Sequence, residues 1–264
     1  LYRVLHNYSK INYKGVRVQK TFLMLSLWLF VAVSAEAEVL DVKYKVTFGL
    51  FGELGYSHAH LETEGDRYTI SIDARATGLA RILSRDRKEK HISQGFISHG
   101  RYYASRYTVE TSYGNKRTYK RYQIDHQSKK VIKTKEKYKE EKLISREHQT
   151  LHFYSSDDPL TLYFNLPVLM HKGMAPGRYK FKAIGTENQE GTVELILPKK
   201  KKLPEYQKIL GSGNYLYLTA IIYQNIFSSD KGELMIAVGR DGITQKAVLK
   251  DLIMFGDLTA ARVQ

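Results

Sequence analysis

The sequence predicts an all-β protein: a strongly curved antiparallel sheet or open barrel with one principal helix. Three observations carry this. Apolar residues fall on alternate positions through most of the chain after residue 38, which is the period of a half-buried strand. The alternating runs are broken by short turn signals, Glu64-Gly65-Asp66, Gly114-Asn115 and Arg240-Asp241-Gly242. With 20 Tyr and only 5 Pro, the composition also suits pleated strands better than loops or disorder.

Ahead of the first strand, Lys20, the apolar run from Phe22 to Val33 and the small-x-small end Ala35-Glu36-Ala37 have the three-part form of a secretory signal peptide cleaved after Ala37. The competing reading, an uncleaved membrane anchor, is disfavoured because the run is short of the roughly 20 residues a spanning helix needs. Residues 1–15 are an unusual preface to a signal peptide, and the chain opens with Leu. Val16 or Val18 would be alternative starts giving a compact Arg17/Lys20 n-region, so the expectation leaves residues 1–15 outside the translated chain. Residues 38–264 then form a single antiparallel β domain, with 155–177 as the place where an internal division would fall. That length is enough for a real core.

The elements follow in order. Leu40, Val42, Tyr44, Val46, Phe48 and Leu50 alternate with polar residues as a first strand. Leu54 to Glu64 and Arg67 to Ala76 form a hairpin about Gly65, and Gly78 to Ser84 reads as a short helix. Arg101 to Tyr113 and Lys116 to His126 flank the two-residue turn Gly114-Asn115, which sets Tyr113 opposite Lys116 and Tyr107 opposite Tyr122. One face of that hairpin therefore carries Tyr103, Tyr107, Val109, Tyr122 and Ile124. Lys129 to Glu141, with Lys and Glu on both sides, reads as a solvated edge strand or projecting ribbon.

Asp157-Asp158-Pro159 opens the principal helix with an Asp cap and a first-turn proline, and Pro167 is expected to end or kink it. Strands resume at Arg178 to Gly185, Gly191 to Leu197 and Asn214 to Tyr223, the last apolar on both faces and so central. Glu233 to Gly239 and Ile243 to Phe255 close the chain.

Charge and composition bound the function. The chain carries +15; without residues 1–37 it keeps 37 Lys and Arg against 26 Asp and Glu, a net +11. Such an excess attracts polyanions. Export argues against nucleic acid, leaving an anionic lipid, an envelope glycan or an envelope protein as partners. Contact with a membrane would be peripheral, with no transmembrane helix in the mature chain. The absence of cysteine excludes disulfides, thiolate metal sites, a cysteine nucleophile and an acylated N-terminal cysteine.

Among individual residues, Tyr103, Tyr107, Tyr122 and Tyr163 are the expected ligand-binding side chains, on an apolar concave face. Lys199, Lys200, Lys201 and Lys202, between Pro198 and Pro204, are the expected contact to an anionic surface. The Tyr/Arg interleaving of Arg101 to Tyr122 would suit single-stranded nucleic acid in the cytoplasm, but strand alternation explains it with the tyrosines inside and the arginines outside. His58 and His60 share a strand face at a usable metal spacing, yet two ligands do not close a site. Asp157 and Asp158 fit helix capping better than acid–base chemistry. There is no Gly-x-Ser-x-Gly and no His-Glu-x-x-His. No catalytic residue, metal or cofactor is assigned.

Three segments resemble the exported bacterial domain-of-unknown-function family 3108: Tyr44 to Gly55 (YKVTFGLFGELG), Tyr68 to Leu79 (YTISIDARATGL) and Asp158 to Phe164 (DPLTLYF). Their order and spacing cover most of residues 40–255. The resemblance implies a strongly curved antiparallel sheet or open barrel of lipocalin-like or lipoprotein-carrier-like shape, and supplies neither a reaction nor a functional residue. The Lys-rich middle and Lys199–Lys202 depart from many relatives. Together these readings lead to a non-enzymatic periplasmic binding protein for an apolar-chain or anionic envelope ligand, lipid or lipopolysaccharide-like. The alternative is an envelope scaffold or protein-interaction module with a solid core.

Overall fold

The computed structural model describes residues 38–78, 81, 86–170, 174–186, 188–223, 232–250 and 257–263. The expected signal peptide and most of the expected helix at 78–84 lie outside the described residues. Fourteen described strands make one sheet. Eight precede the principal helix: β1 (Glu38–Phe48), β2 (Gly52–Glu64), β3 (Arg67–Ala76), β4 (Lys88–Ser98), β5 (Arg101–Tyr113), β6 (Lys116–Asp125), β7 (Lys130–Lys139) and β8 (Lys142–Thr150). Helix α1 (Pro159–Met170) leads to β9 (Gly177–Lys182) and β10 (Thr192–Leu197), and helix α2 (Leu203–Leu210) to β11 (Leu216–Ile222), β12 (Gly232–Val238), β13 (Thr244–Leu249) and β14 (Leu258–Arg262).

The spatial order is β8-β7-β6-β5-β4-β3-β2-β1-β14-β13-β12-β11-β10-β9, with every neighbour antiparallel. The chain thus meanders outward from β1 to β8, crosses through α1 to the far edge, and meanders back until β14 pairs with β1 from Tyr44↔Arg262 to Phe48↔Leu258. The sheet is open, with β8 and β9 as its edges. The lysine-rich strand β7 is not an edge, as its composition led one to expect, because β8 pairs outside it. The last strand is β14, beyond the expected end at Phe255, and α2 is a helix at a place where the sequence reading assigned none.

Curvature follows from what α1 touches. Leu160 and Phe164 pack in one core cluster with Ile70, Tyr107 and Tyr122, while Leu162 and Leu166 pack with Leu195, Leu218 and Ile236. Strands β5 and β11 stand eight places apart in the sheet order, which in a flat sheet is about 40 Å at the usual strand spacing. A helix only about 10 Å across can meet both only if the sheet curls around it. α1 is mostly apolar for this reason, with Leu160, Leu162 and Leu166 buried and Pro167 and Val168 left exposed. It also runs through Pro167 without ending there, with Leu166 in the core before it and the half-buried Leu169 and Met170 packed against the same cluster after it.

On the opposite, outer face, α2 covers β11 to β13, with Tyr206 and Leu210 against Tyr217, Met235 and Val248. That double cover makes β11 the buried strand its sequence promised. Residues 151–158 close the gap between the two halves. Leu151 donates to Val131 O at 2.9 Å and Ala104 to Ser156 O at 3.0 Å on one side; Ile184 donates to Asp157 O at 2.8 Å and Ser155 Oγ to Lys182 O at 2.6 Å on the other.

Candidate binding surfaces and the buried polar centre

The start of α1 is fixed by a buried polar cluster. Asp158 is fully buried and caps the helix, its Oδ1 accepting from the backbone N–H groups of Leu160 (2.8 Å) and Thr161 (3.1 Å). Its Oδ2 accepts from the hydroxyls of Ser93 (2.5 Å) and Thr161 (3.0 Å), which also meet the Tyr68 hydroxyl. Burial pushes the Asp158 carboxyl up to about 6, although these hydrogen bonds pull the other way. Asp157 accepts from Arg101 Nη2 at 2.9 Å and from Asn165 Nδ2 at 2.6 Å, and Asn165 Oδ1 accepts from the Tyr102 N–H at 2.8 Å. Both aspartates are therefore structural partners of α1, as their position before Pro159 indicated. Ser93, Asp158 and Thr161 are closed to solvent, so the cluster presents no nucleophile to a substrate.

The four expected ligand-binding tyrosines are not gathered in one place. Tyr107 and Tyr122, 2% and 1% exposed, stack at 5.8 Å in the register the turn dictated, and fill the core. The ring of Tyr107 lies so close to Gly185 that a Cβ there would come within 2.5 Å of it. Tyr103 does not share their face. A bulge in the β4–β5 pairing, between Gln94↔Arg106 and Gly95↔Ala104, inserts Ser105 and reverses the alternation. Tyr103 instead stacks on Phe96 at 5.2 Å, with the Arg101 guanidinium 5.3 Å from its ring. Tyr163 ties α1 to the β12–β13 turn: its hydroxyl donates to Gly242 O at 3.0 Å and accepts from the Thr244 N–H at 2.9 Å.

Lys199 to Lys202 sit where Pro198 ends β10 and Pro204 begins α2, Lys200–Lys202 forming one tight 3₁₀ turn. All four are exposed, and Lys202 Nζ lies 3.0 Å from Glu205. Beside them is a cleft of about 310 Å³, floored by Ile196, Leu197, Pro198 and Tyr206 and rimmed by Lys199, Lys202 and Glu205. A second, polar cleft of about 680 Å³ lies along the β1–β14 junction, at Asp41, Lys43, Gln245 and Arg262.

His58 and His60 do share a face, both bonded to Asp41, at 2.5 and 3.2 Å. Among the described residues no group of three or more His, Asp or Glu side chains is arranged to hold a metal ion. A chain of contacts that no local pattern announced runs from Tyr107 Oη to His91 Nδ1 (2.6 Å) and from His91 Nε2 to Glu89 (2.8 Å). The hydrogen bond from His91 holds the Glu89 carboxyl down at about 2.

The charged residues of β6 to β8 also sort differently from expectation. Lys133, Lys135, Lys137 and Lys139 all fall on the inner face with Val131 and Tyr122, and Glu136 and Tyr138 fall on the outer one. The alternation of lysines was legible in the sequence; that it lies on the same face as the core was not.

Residues 43–156 match the family model described as "Protein of unknown function (DUF3108)". The chain carries a DUF3108 domain. The match runs from β1 through β8 to the linking segment, so the DUF3108 portion is the first half of the sheet, and the Asp158-Pro159 helix start falls just beyond it. The whole fold is similar to the crystal structure of a beta-barrel-like protein of domain of unknown function DUF1849 from Brucella abortus. That likeness has a TM-score of 0.50 at 11% identity, over 85% of this chain and 95% of that one. It is a likeness of fold and extends past the DUF3108 match into the second half. No curated protein matches the sequence. Among the described residues no helix is long and apolar enough to cross a membrane.

Proposed function

We propose that this chain is a non-enzymatic binding protein of the periplasm that takes an anionic envelope ligand with an apolar portion, a lipid or a lipopolysaccharide-like molecule. The observation that carries this reading is the apolar cleft beside Lys199–Lys202, which puts aliphatic and aromatic walls next to a cluster of cations. At about 310 Å³ it is at the small end of ligand sites and would take the part of a chain nearest its head group. Each lysine near an anionic bilayer contributes about 1 kcal/mol. The periplasmic location rests on the signal-peptide form of residues 20–38. The non-enzymatic character is supported by the closure of the Ser93–Asp158–Thr161 cluster to water.

A second reading, an envelope scaffold, is favoured by the filling of the interior by α1, which meets both core clusters. Lipid extraction from protein purified out of its native envelope, followed by mass spectrometry, separates the two. A co-purifying anionic lipid, with vesicle sedimentation lost in the K199Q/K200Q/K201Q/K202Q variant, is the expected result. Repeated recovery of empty protein, with sedimentation equal for native and variant, would favour the scaffold.

A further inference from the structure

We infer that the inner face of β6, β7 and β8 is a binding surface for a linear polyanion carrying phosphate groups along its length, a site separate from the Lys199–Lys202 cleft. Cross-strand register places Lys116, Lys139 and Lys142 side by side in one row, and Lys120, Lys135 and Glu147 in another. Between the rows stand Thr118, Lys137 and Ser145. Like charges directly opposite one another destabilise a sheet. Even so, Lys116, Lys120, Lys137, Lys139 and Lys142 have no carboxylate partner among the described residues, and Lys135 meets Glu147 only at 3.9 Å. The neighbouring inner-face acid, Glu89 on β4, is already engaged by His91 and Arg87.

The outer face of the same strands is built to the opposite rule. There Glu136, 5% exposed, receives Arg121 at 2.5 Å, Arg146 at 2.8 Å and the Tyr138 hydroxyl at 3.2 Å, and Arg117 reaches Glu110 and Glu141. These strands thus pair their charges on the outer face, whereas on the inner one Lys116, Lys120, Lys137, Lys139 and Lys142 meet no carboxylate among the described residues. Protection of a sheet edge does not account for it, since β7 is an internal strand. Solubility is served by evenly mixed signs, whereas these rows set six lysines against Glu147.

The spacing selects the partner. Alternate residues on a strand are about 6.7 Å apart, so Lys135, Lys137 and Lys139 form a column about 13 Å long. An extended chain bearing phosphates at short intervals can set one against each cation of that column. The Thr118 and Ser145 hydroxyls between the cations offer donors to the same oxygens, and ammonium groups bind phosphate as point charges. A flat bilayer does not fit, because the lysines lie on the inside of a curled sheet.

The test is binding of long-chain inorganic polyphosphate to the full chain by fluorescence anisotropy across a salt series. The K135Q/K137Q/K139Q variant is expected to bind at least ~10-fold more weakly, with the slope of log affinity against log salt reduced by about 2, at ~0.7 per lost phosphate contact. K199Q/K200Q/K201Q, with the same change in net charge, should keep both affinity and slope. Thermal melting of K135Q/K137Q/K139Q should give a midpoint at or above that of the native protein, since repulsion is relieved. Three results would each overturn the inference: no polyphosphate binding by the native protein, equal losses in the two variants, or binding of phosphatidylglycerol vesicles through Lys135, Lys137 and Lys139 without polyphosphate binding. The cleft reading is judged separately, on lipid recovery and on vesicle sedimentation of the Lys199–Lys202 variant.

Discussion

Asp158 is a carboxylate held where water does not reach it, and its effect on stability has a definite sign. Its group titrates near 3.8 in the unfolded chain and at about 6 in the fold. Between those values the native state holds the extra proton, so this group's contribution to stability declines as pH rises from about 4 to about 6. Asp158→Asn should remove that decline, read as the difference in melting temperature between native and variant over the same window. Glu89 acts in the other direction. Its folded value of about 2 lies below its ordinary 4.5, so it contributes stability above pH ~4.5 that is lost as pH falls toward 2. Glu89→Gln should therefore flatten the acid limb of the stability profile. Gly185 has a positive φ of 100° and the Tyr107 ring against it; Gly185→Ala should cost about 1–3 kcal/mol in denaturant unfolding. At this scale the cap was legible because Asp158, Leu160 and Thr161 are neighbours in sequence. Its partner Ser93 was not, being 65 residues away on a strand that carries no mark of it.

Hairpins were the most legible elements, because a two-residue turn fixes the register of everything beyond it. Gly114, at φ 54°, supplies the backbone conformation that the turn needs, and Tyr113↔Lys116 and Tyr107↔Tyr122 follow. The bulge at Ser105 was illegible, since one extra residue changes no composition yet reverses the faces of all residues on its far side, Tyr103 among them. Helix α1 shows a conflict of another kind. The local rule says Pro167 stops a helix, and burial on both sides overrides it. Leu166→Ala should cost about 2–4 kcal/mol with the denaturant slope unchanged, because the side chain is buried in the cluster it shares with Leu195, Leu218 and Ile236. Pro167→Ala, which restores a backbone donor, should raise the melting temperature.

On the scale of the whole molecule, the two strand sets and the helix between them were readable, but the way they join was not. The β1–β14 pairing links residues more than 200 positions apart through a five-residue strand with little alternation. Deleting residues 257–264 should expose the edges of β1 and β13, detectable as self-association in size-exclusion chromatography and loss of a single cooperative melt. The linking segment at residues 151–158 has a further consequence. Around most of its circumference the sheet is joined by continuous ladders, yet between β8 and β9 the described strands do not pair, and the two sides are joined through the linker by bonds such as those of Leu151, Ala104, Ile184 and Ser155. The protein is in effect a split ring closed by a clasp. Releasing the clasp would loosen the grip on α1 without unzipping a single strand pair. Amide exchange at Ala104 and Ile184 should accordingly run ahead of exchange along β1, and any event that pries the edges apart would begin there.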